Sequence, residues 1–221
     1  MPRKPTYERS FASHERAQFW HLTRNGELKP RDISKCSNAR FWFTCGKCAH
    51  DFDTTPSNIC LGRWCPYCSN PPKKLCNDEK CQLCFNKSFA SHEKAQYWHP
   101  TKNGTETPRD VFKNTHKKYC FRCGECAHDF DIMIYNIIWG GNWCMYCSNQ
   151  ALCSDNNCQS CFNKSFASHE KAQFWHPTKN GTETPRSLFK NSSKKCWFIC
   201  RDCGHDFESS KGHLSDRGCP Y

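Results

Sequence analysis

No stretch of this chain is long and apolar enough to cross a bilayer, and its opening Met-Pro-Arg-Lys-Pro offers no apolar segment to serve as a signal peptide. A membrane role is therefore not expected, and a secreted, disulfide-built scaffold is disfavoured. Catalytic groupings are missing as well. No nucleophile, base and acid come together outside residues that recur throughout the chain, so a non-enzymatic protein without a small-molecule substrate is expected.

Cysteine, by contrast, is plentiful: there are 21 in 221 residues. Cys45, Cys48, Cys65 and Cys68 form a C-x2-C-x16-C-x2-C array, and Cys123, Cys126, Cys144 and Cys147 repeat it with one more residue in the gap. A third array holds Cys200, Cys203 and Cys219, and the sequence reaches Tyr221 without a fourth cysteine. Thiolates paired at this spacing suit tetrahedral zinc, because each short pair can turn both sulfurs toward one ion. For the third array the remaining candidates are His205, His213, the Tyr221 carboxylate or water.

The rest of the chain repeats in step. Residues 86–109 recur at 163–186 with a single change, Tyr97 to Phe174, and a looser version runs from Ser10 to Arg31. Three modules follow: 1–70, 71–149 and 150–221. Each is of a size at which an apolar core alone is marginal, so zinc is the expected staple and a reducing compartment the expected setting. Within the second module, Ser91 is expected to cap a short helix that stops near His99, ahead of Pro100, and Asn103-Gly104 a tight turn. Lys118–Arg122 should be a strand and 128–131 its return, with 132–138 ambiguous between strand and helix.

Between the arrays lie two triads, Cys76, Cys81 and Cys84, then Cys153, Cys158 and Cys161. Three thiolates need one more ligand to close a structural site. His92 and His169 are one candidate pair and Cys120 and Cys196 another, although His14 holds the place of His92 in a module with no triad before it. Trp20, Trp98 and Trp175, with Phe52, Phe130 and Phe207, are assigned to the core. The dipeptides His50-Asp51, His128-Asp129 and His205-Asp206 are assigned structural roles because they recur in every copy, and Cys36 and Cys60 are expected to be buried or incidental.

The order Trp-His-Pro, Asn-Gly, Pro-Arg, then C-x2-C with Ala-His or Gly-His, then Trp64-Cys65-Pro66-Tyr67-Cys68, resembles a treble-clef or zinc-ribbon-like repeat family of giant DNA viruses and some bacteria and plants. The resemblance covers nearly the whole chain and departs from the pattern at Met145, which stands for proline, and at the third array. It implies three small α+β, zinc-stapled modules, and the near-identical copies look most like the giant-virus branch. The family carries no settled activity, so the resemblance speaks to fold far more than to function. An infected cell's nucleus, cytoplasm or viral factory, or the virion, is the expected location.

Charge is the lead to function. Zinc with four thiolates carries −2 and with three −1, so loading all five sites takes the formal +11 to about +4. The positive residues cluster ahead of the arrays: Arg109, Lys113, Lys117, Lys118 and Arg122 in one copy, and Arg186, Lys190, Lys194, Lys195 and Arg201 in the next. Of these, Arg109, Lys117, Lys118, Arg122, Arg186, Lys194, Lys195 and Arg201 are the candidate phosphate contacts. The reading is a nucleic-acid- or chromatin-binding array of low sequence specificity. A protein-interaction adaptor is the alternative, and a nuclease-like enzyme a distant third.

Overall fold

The computed structural model describes residues 4–210 and 219–221. Each repeat contributes one antiparallel hairpin: β1 (Phe41–Thr44) with β2 (Asp51–Thr54), β3 (Lys118–Arg122) with β4 (Asp129–Met133), and β5 (Lys195–Ile199) with β6 (Asp206–Ser210). Short helices follow or separate them: α1 (Pro56–Cys60), α2 (Gln82–Lys87), α3 (Ile134–Ile138) and α4 (Gln159–Lys164). No helix among the described residues is long and apolar enough to cross a membrane. This is the small α+β organisation expected from the repeats.

By internal contacts the chain forms two compact units, one of Met1–Gln96 with Thr105–Thr115, the other of Tyr97–Gly104 with His116–Tyr221. Their boundary falls inside the second sequence repeat. The physical reason is that the triad and helix opening that repeat are tied to the hairpin before them, as described below.

Each hairpin carries one phenylalanine around which the repeat packs. Phe43 has no exposed surface and meets Phe11, Trp20 and Trp64 edge-on, at centroid distances of 5.6, 5.4 and 5.7 Å. Phe121 is enclosed by Trp98, Phe130 and Trp143, and Phe198 by Phe166, Trp175 and Phe207. Edge-to-face rings suit the aromatic quadrupole and give a module this small most of its apolar burial. The core assignment of the tryptophans and phenylalanines therefore holds.

The turn between the strands is a zinc knuckle. Ala49 and Ala127 adopt left-handed φ of 55° and 57°, and the third repeat places Gly204 there at 71°. That geometry lets the Ala49 amide donate to Cys45 O at 2.8 Å while the Cys45 amide donates to His50 O at 3.0 Å, curling the loop so that the cysteines face one point. The following histidine then leaves the turn in a fixed direction.

One local expectation is corrected and one ambiguity resolved. The segment after Ser91 is not an α-helix but a pair of 3-10 turns, Phe89–Ser91 and Glu93–Tyr97, split by His92. Ser91 Oγ donates to Ser88 O at 2.9 Å, and His92 Nδ1 takes the capping role by accepting the Lys94 amide at 3.2 Å. The ambiguous 132–138 divides, its first two residues completing β4 and the rest forming α3.

Asn103 does more than turn the chain. Its side-chain amide donates to Cys120 O at 2.8 Å and accepts the Cys120 amide at 2.8 Å, standing in for a third strand beside β3. Asn25 does the same at Trp42, and Asn180 at Trp197. Replacing Asn103 with alanine strands the Cys120 amide and leaves Cys120 O with the His99 amide alone, and a backbone amide left buried and unpaired costs about 1–3 kcal/mol. We expect Asn103→Ala to lower the melting temperature of the zinc-loaded protein with its metal content unchanged; an unaltered melting curve would contradict this role.

Candidate metal centres

The two complete arrays close as expected. Cys45 and Cys48 come from the β1–β2 knuckle and Cys65 and Cys68 from the loop after α1. The Sγ atoms of Cys45 and Cys68 are 3.6 Å apart and those of Cys48 and Cys65 3.5 Å. Cys123 with Cys147, and Cys126 with Cys144, give 3.6 and 3.5 Å. All four sulfurs of each group lie within 4.8 Å of one another. Zinc holding sulfur at 2.3 Å in a tetrahedron sets sulfurs about 3.8 Å apart, whereas a disulfide needs about 2.05 Å. The spacing fits the metal, and all 21 cysteines are unbonded thiols.

The triads also close, but with a ligand the spacing did not reveal. His50 joins Cys76, Cys81 and Cys84, and His128 joins Cys153, Cys158 and Cys161. His50 Nε2 lies 3.3 Å from Cys81 Sγ and 3.5 Å from Cys84 Sγ, and His128 Nε2 is 3.3 and 3.5 Å from Cys158 and Cys161. A tetrahedral zinc with one nitrogen and three sulfurs implies N–S separations of about 3.6 Å. The fourth ligand is thus contributed by the preceding repeat.

His92 and His169, the candidates taken from downstream, are corrected: each caps its 3-10 turn through Nδ1 and stacks on Phe89 or Phe166. His14 does likewise on Phe11, which explains its presence in a module without a triad. Burial lowers the basicity of His14 and His92 and so favours this acceptor form. Cys120 and Cys196 are buried within β3 and β5 and belong to neither group. The purely structural assignment of the His-Asp dipeptides is corrected in the first two repeats, where the histidine joins a cysteine triad in a group suited to hold a metal ion. A signal existed in the Ala-His that follows each of the first two knuckles.

Each ligating ring is held by stacking. His50 lies on Tyr67, with centroids 4.3 Å apart and planes 17° from parallel, and His128 lies on Tyr146 at 4.3 Å and 23°. The Nδ1 atoms of both are buried with no hydrogen-bond partner, so the tyrosine face replaces the carboxylate or carbonyl that usually orients a metal-bound imidazole. Tyr67 and Tyr146 belong to the second cysteine pairs of the complete arrays, so the two kinds of site are mechanically joined.

Arg109 and Arg186 are positioned differently from the other basic residues. Arg109 Nη2 donates to Asp78 O at 3.0 Å and points at Cys76 Sγ at 3.7 Å; Arg186 Nη2 donates to Asp155 O at 2.8 Å and points at Cys153 Sγ at 3.5 Å. Their Nε and Nη1 atoms are buried. These guanidiniums offset the −1 charge of a three-thiolate, one-imidazole zinc site and are not presented to an external phosphate. Burial opposes thiolate formation at Cys76 and Cys153, yet hydrogen bonds from His50 or His128 and from neighbouring thiols outweigh it and bring both thiols down to about 6.

The third array brings together Cys200, Cys203 and Cys219, with Cys203 and Cys219 sulfurs 3.5 Å apart. No histidine, aspartate or glutamate among the described residues joins them. His205 is turned toward Tyr221, with ring centres 4.9 Å apart, in the manner of His50 on Tyr67. His213 lies outside the described residues. Cys36 and Cys60 are exposed and belong to no group, so the incidental reading stands over the buried one.

The remaining basic candidates are surface residues of varied engagement. Lys118 and Lys195 open β3 and β5 and are exposed. Lys117 lies 4.9 Å from the Tyr119 ring centre and Arg201 5.0 Å from that of Phe174. Lys194 pairs with Glu183, and Arg122 donates to Asp129 Oδ1 at 2.8 Å. That hydrogen bond, with Lys102 and His99 beside it and against the effect of burial, holds the Asp129 carboxyl far below the usual range.

Two outcomes test these centres. His128→Ala should remove one zinc per chain in native mass spectrometry and leave the complete arrays loaded, whereas His169→Ala should change no metal count; equal stoichiometry for both would reject the assignment. Arg186→Gln keeps the shape but removes the charge beside Cys153, and loss of such an outer partner weakens metal affinity by roughly 10- to 100-fold. Chelator competition should therefore strip one site of this variant earlier than in the unaltered protein.

Comparison with known proteins agrees with this geometry. A family described as a probable treble clef zinc finger domain matches three times, at residues 17–71, 95–150 and 172–221. The triads lie outside all three matches. An uncharacterized protein, R635, of Acanthamoeba polyphaga mimivirus is 36% identical over 208 residues, which cover 92% of this chain and 49% of the relative. The chain thus spans about half the length of this viral relative. With its three matched repeats and their zinc sites, the chain belongs to the treble clef zinc finger family described by that match.

Proposed function

We propose that the protein is a non-catalytic nucleic-acid- or chromatin-binding array of low sequence specificity, acting where nucleic acid is handled, in a nucleus or viral factory. The observation that carries this reading is the exposed lysine at the same strand position of two repeats, Lys118 opening β3 and Lys195 opening β5, each on a hairpin stiffened by a knuckle. A net charge of about +4 with all five sites loaded supports it. With Arg109 and Arg186 engaged at the triads, the phosphate-facing set narrows to Lys117, Lys118, Arg122, Lys194, Lys195 and Arg201.

The histidines favour a binding role over catalysis. His99 Nδ1 accepts the amides of Thr101 and Lys102, each at 3.2 Å, leaving the ring proton on Nε2 to be donated to Asp129 at 3.1 Å. His21 with Asp51 and His176 with Asp206 are wired alike. Neither nitrogen remains available to take a proton from a substrate, which a general base requires. A protein-interaction adaptor is the second reading, favoured by the apolar Leu61 left exposed beyond α1.

Salt dependence separates the two. Replacing Lys117 and Lys118 with alanine removes up to two phosphate contacts, each contributing roughly 0.9 to the slope of log affinity against log salt on duplex DNA. In fluorescence anisotropy with an arbitrary duplex, the double variant should bind more weakly and show a slope shallower by up to about 1.8, with zinc retained. Replacing Lys194 and Lys195 should act similarly. Failure of the unaltered protein to bind at low salt would overturn the nucleic-acid reading.

A further inference from the structure

Resting on the nucleic-acid reading, we propose that the second repeat carries a stacking site for the bases of a single strand, formed by Trp139 and Tyr135. Trp139 is 68% exposed and Tyr135 41%, unusual for large rings in a chain whose other tryptophans are at least partly buried. They stand four residues apart at α3, where the Trp139 amide donates to Tyr135 O at 3.0 Å, and this spacing puts both on one side of the turn. The His116 ring is stacked on Tyr135 at 4.7 Å, with planes 22° from parallel, and extends the aromatic surface.

Charge and hydrogen-bonding groups select the occupant. Lys117 and Lys118 follow His116 directly, and Lys118 is paired in register with Met133 at the foot of α3. Lys118 also lines an open groove of about 620 Å³ together with Asn136, Asn142 and Gln150. Trp139 lies in the chain between two of the groove's lining residues, Asn136 and Gly141. Side-chain amides offer both donors and acceptors to base edges, lysines attract the backbone, and exposed rings accept base faces. The groove holds one carboxylate, Asp131, which is paired in register with Cys120 across β3 and β4.

The feature is particular to this repeat. At the corresponding positions the first repeat has Asn38, Ala39 and Arg40 for His116, Lys117 and Lys118, then Ser57 for Tyr135 and Leu61 for Trp139. The rings thus stand beside positive charge in this repeat, at sites the fold does not require, since the first repeat builds the same hairpin and helix without them. Duplex DNA keeps its base faces stacked and hidden, so only an unpaired strand can use this surface.

The first repeat also supplies substitutions that the fold already accepts. Zinc-loaded protein is titrated by anisotropy against a labelled oligothymidylate of about 20 nucleotides and against an arbitrary duplex of equal length. Trp139→Leu should weaken single-strand binding about tenfold, and adding Tyr135→Ser should weaken it further. Duplex affinity should move by less than about twofold, since phosphate contacts are untouched. Zinc stoichiometry and melting, measured alongside, establish that the variants are folded. Unchanged single-strand affinity, or equal losses on both ligands, would overturn the stacking site while leaving the phosphate-tracking function intact. If the unaltered protein binds neither ligand, both readings fail, and a protein partner lost on Trp139→Leu would then assign the exposed rings to that partner.

Discussion

The imidazole leaving each of the first two knuckles ends among the cysteines of the triad that opens the next repeat, where the four side chains would hold one metal ion, and most other features can be traced to that meeting. His50 reaches Cys81 and Cys84 because left-handed Ala49 turns the chain out of the knuckle at a fixed angle and Tyr67 holds the ring flat. Tyr67 is in turn fixed by Cys65 and Cys68, which share the complete site with Cys45 and Cys48. One metal therefore braces the ligand of the next. A core of a few buried rings is marginal, whereas a structural zinc supplies an apparent free energy of roughly 10–16 kcal/mol at neutral pH.

The same meeting sorts the polar residues. Burying a three-thiolate, one-imidazole site leaves one negative charge, and the fold answers with Arg109 or Arg186, carried about thirty residues further along the chain. Freed from the histidine beside it, Asp51 pairs with His21, and Asp129 with His99, Arg122 and Lys102. A His-Asp dipeptide that resembles catalytic machinery in the sequence is parted in space, its two members facing different sites. Repeated charged residues thus divide into those answering an internal charge and those left to the surface.

That division explains what was and was not legible in the sequence. Thiolate pairs could be read because both ligands of a pair lie in one tight turn, so spacing alone encodes geometry. Core rings and strands could be read from alternation, as at Lys118–Arg122. The junction ligand could not, because His50 and Cys81 lie 31 residues apart in the chain, and no local pattern encodes their meeting. Arg109 failed for a related reason: a positive residue near others reads as surface charge until the thiolate opposite it is located. The capping role of His92 was hidden by a plausible serine cap one residue earlier, which the backbone uses instead to bond back to Ser88.

Near-identity of the copies carries its own argument. Many residues common to all three repeats are accounted for by the knuckle, the aromatic centre, the capping histidine, the asparagine that stands in for a strand and the His-Asp pair, so they describe how a repeat folds. Positions where the repeats diverge are free of those duties, and there a particular partner can be addressed. Arg40 is drawn onto Asp53 in the first repeat, while Lys118 at the same place stands exposed beside a groove and two open rings in the second. Three copies of one scaffold need not make three copies of one binding site: metal ligation fixes the shared frame, and the few unconstrained positions around each helix set what each repeat can hold.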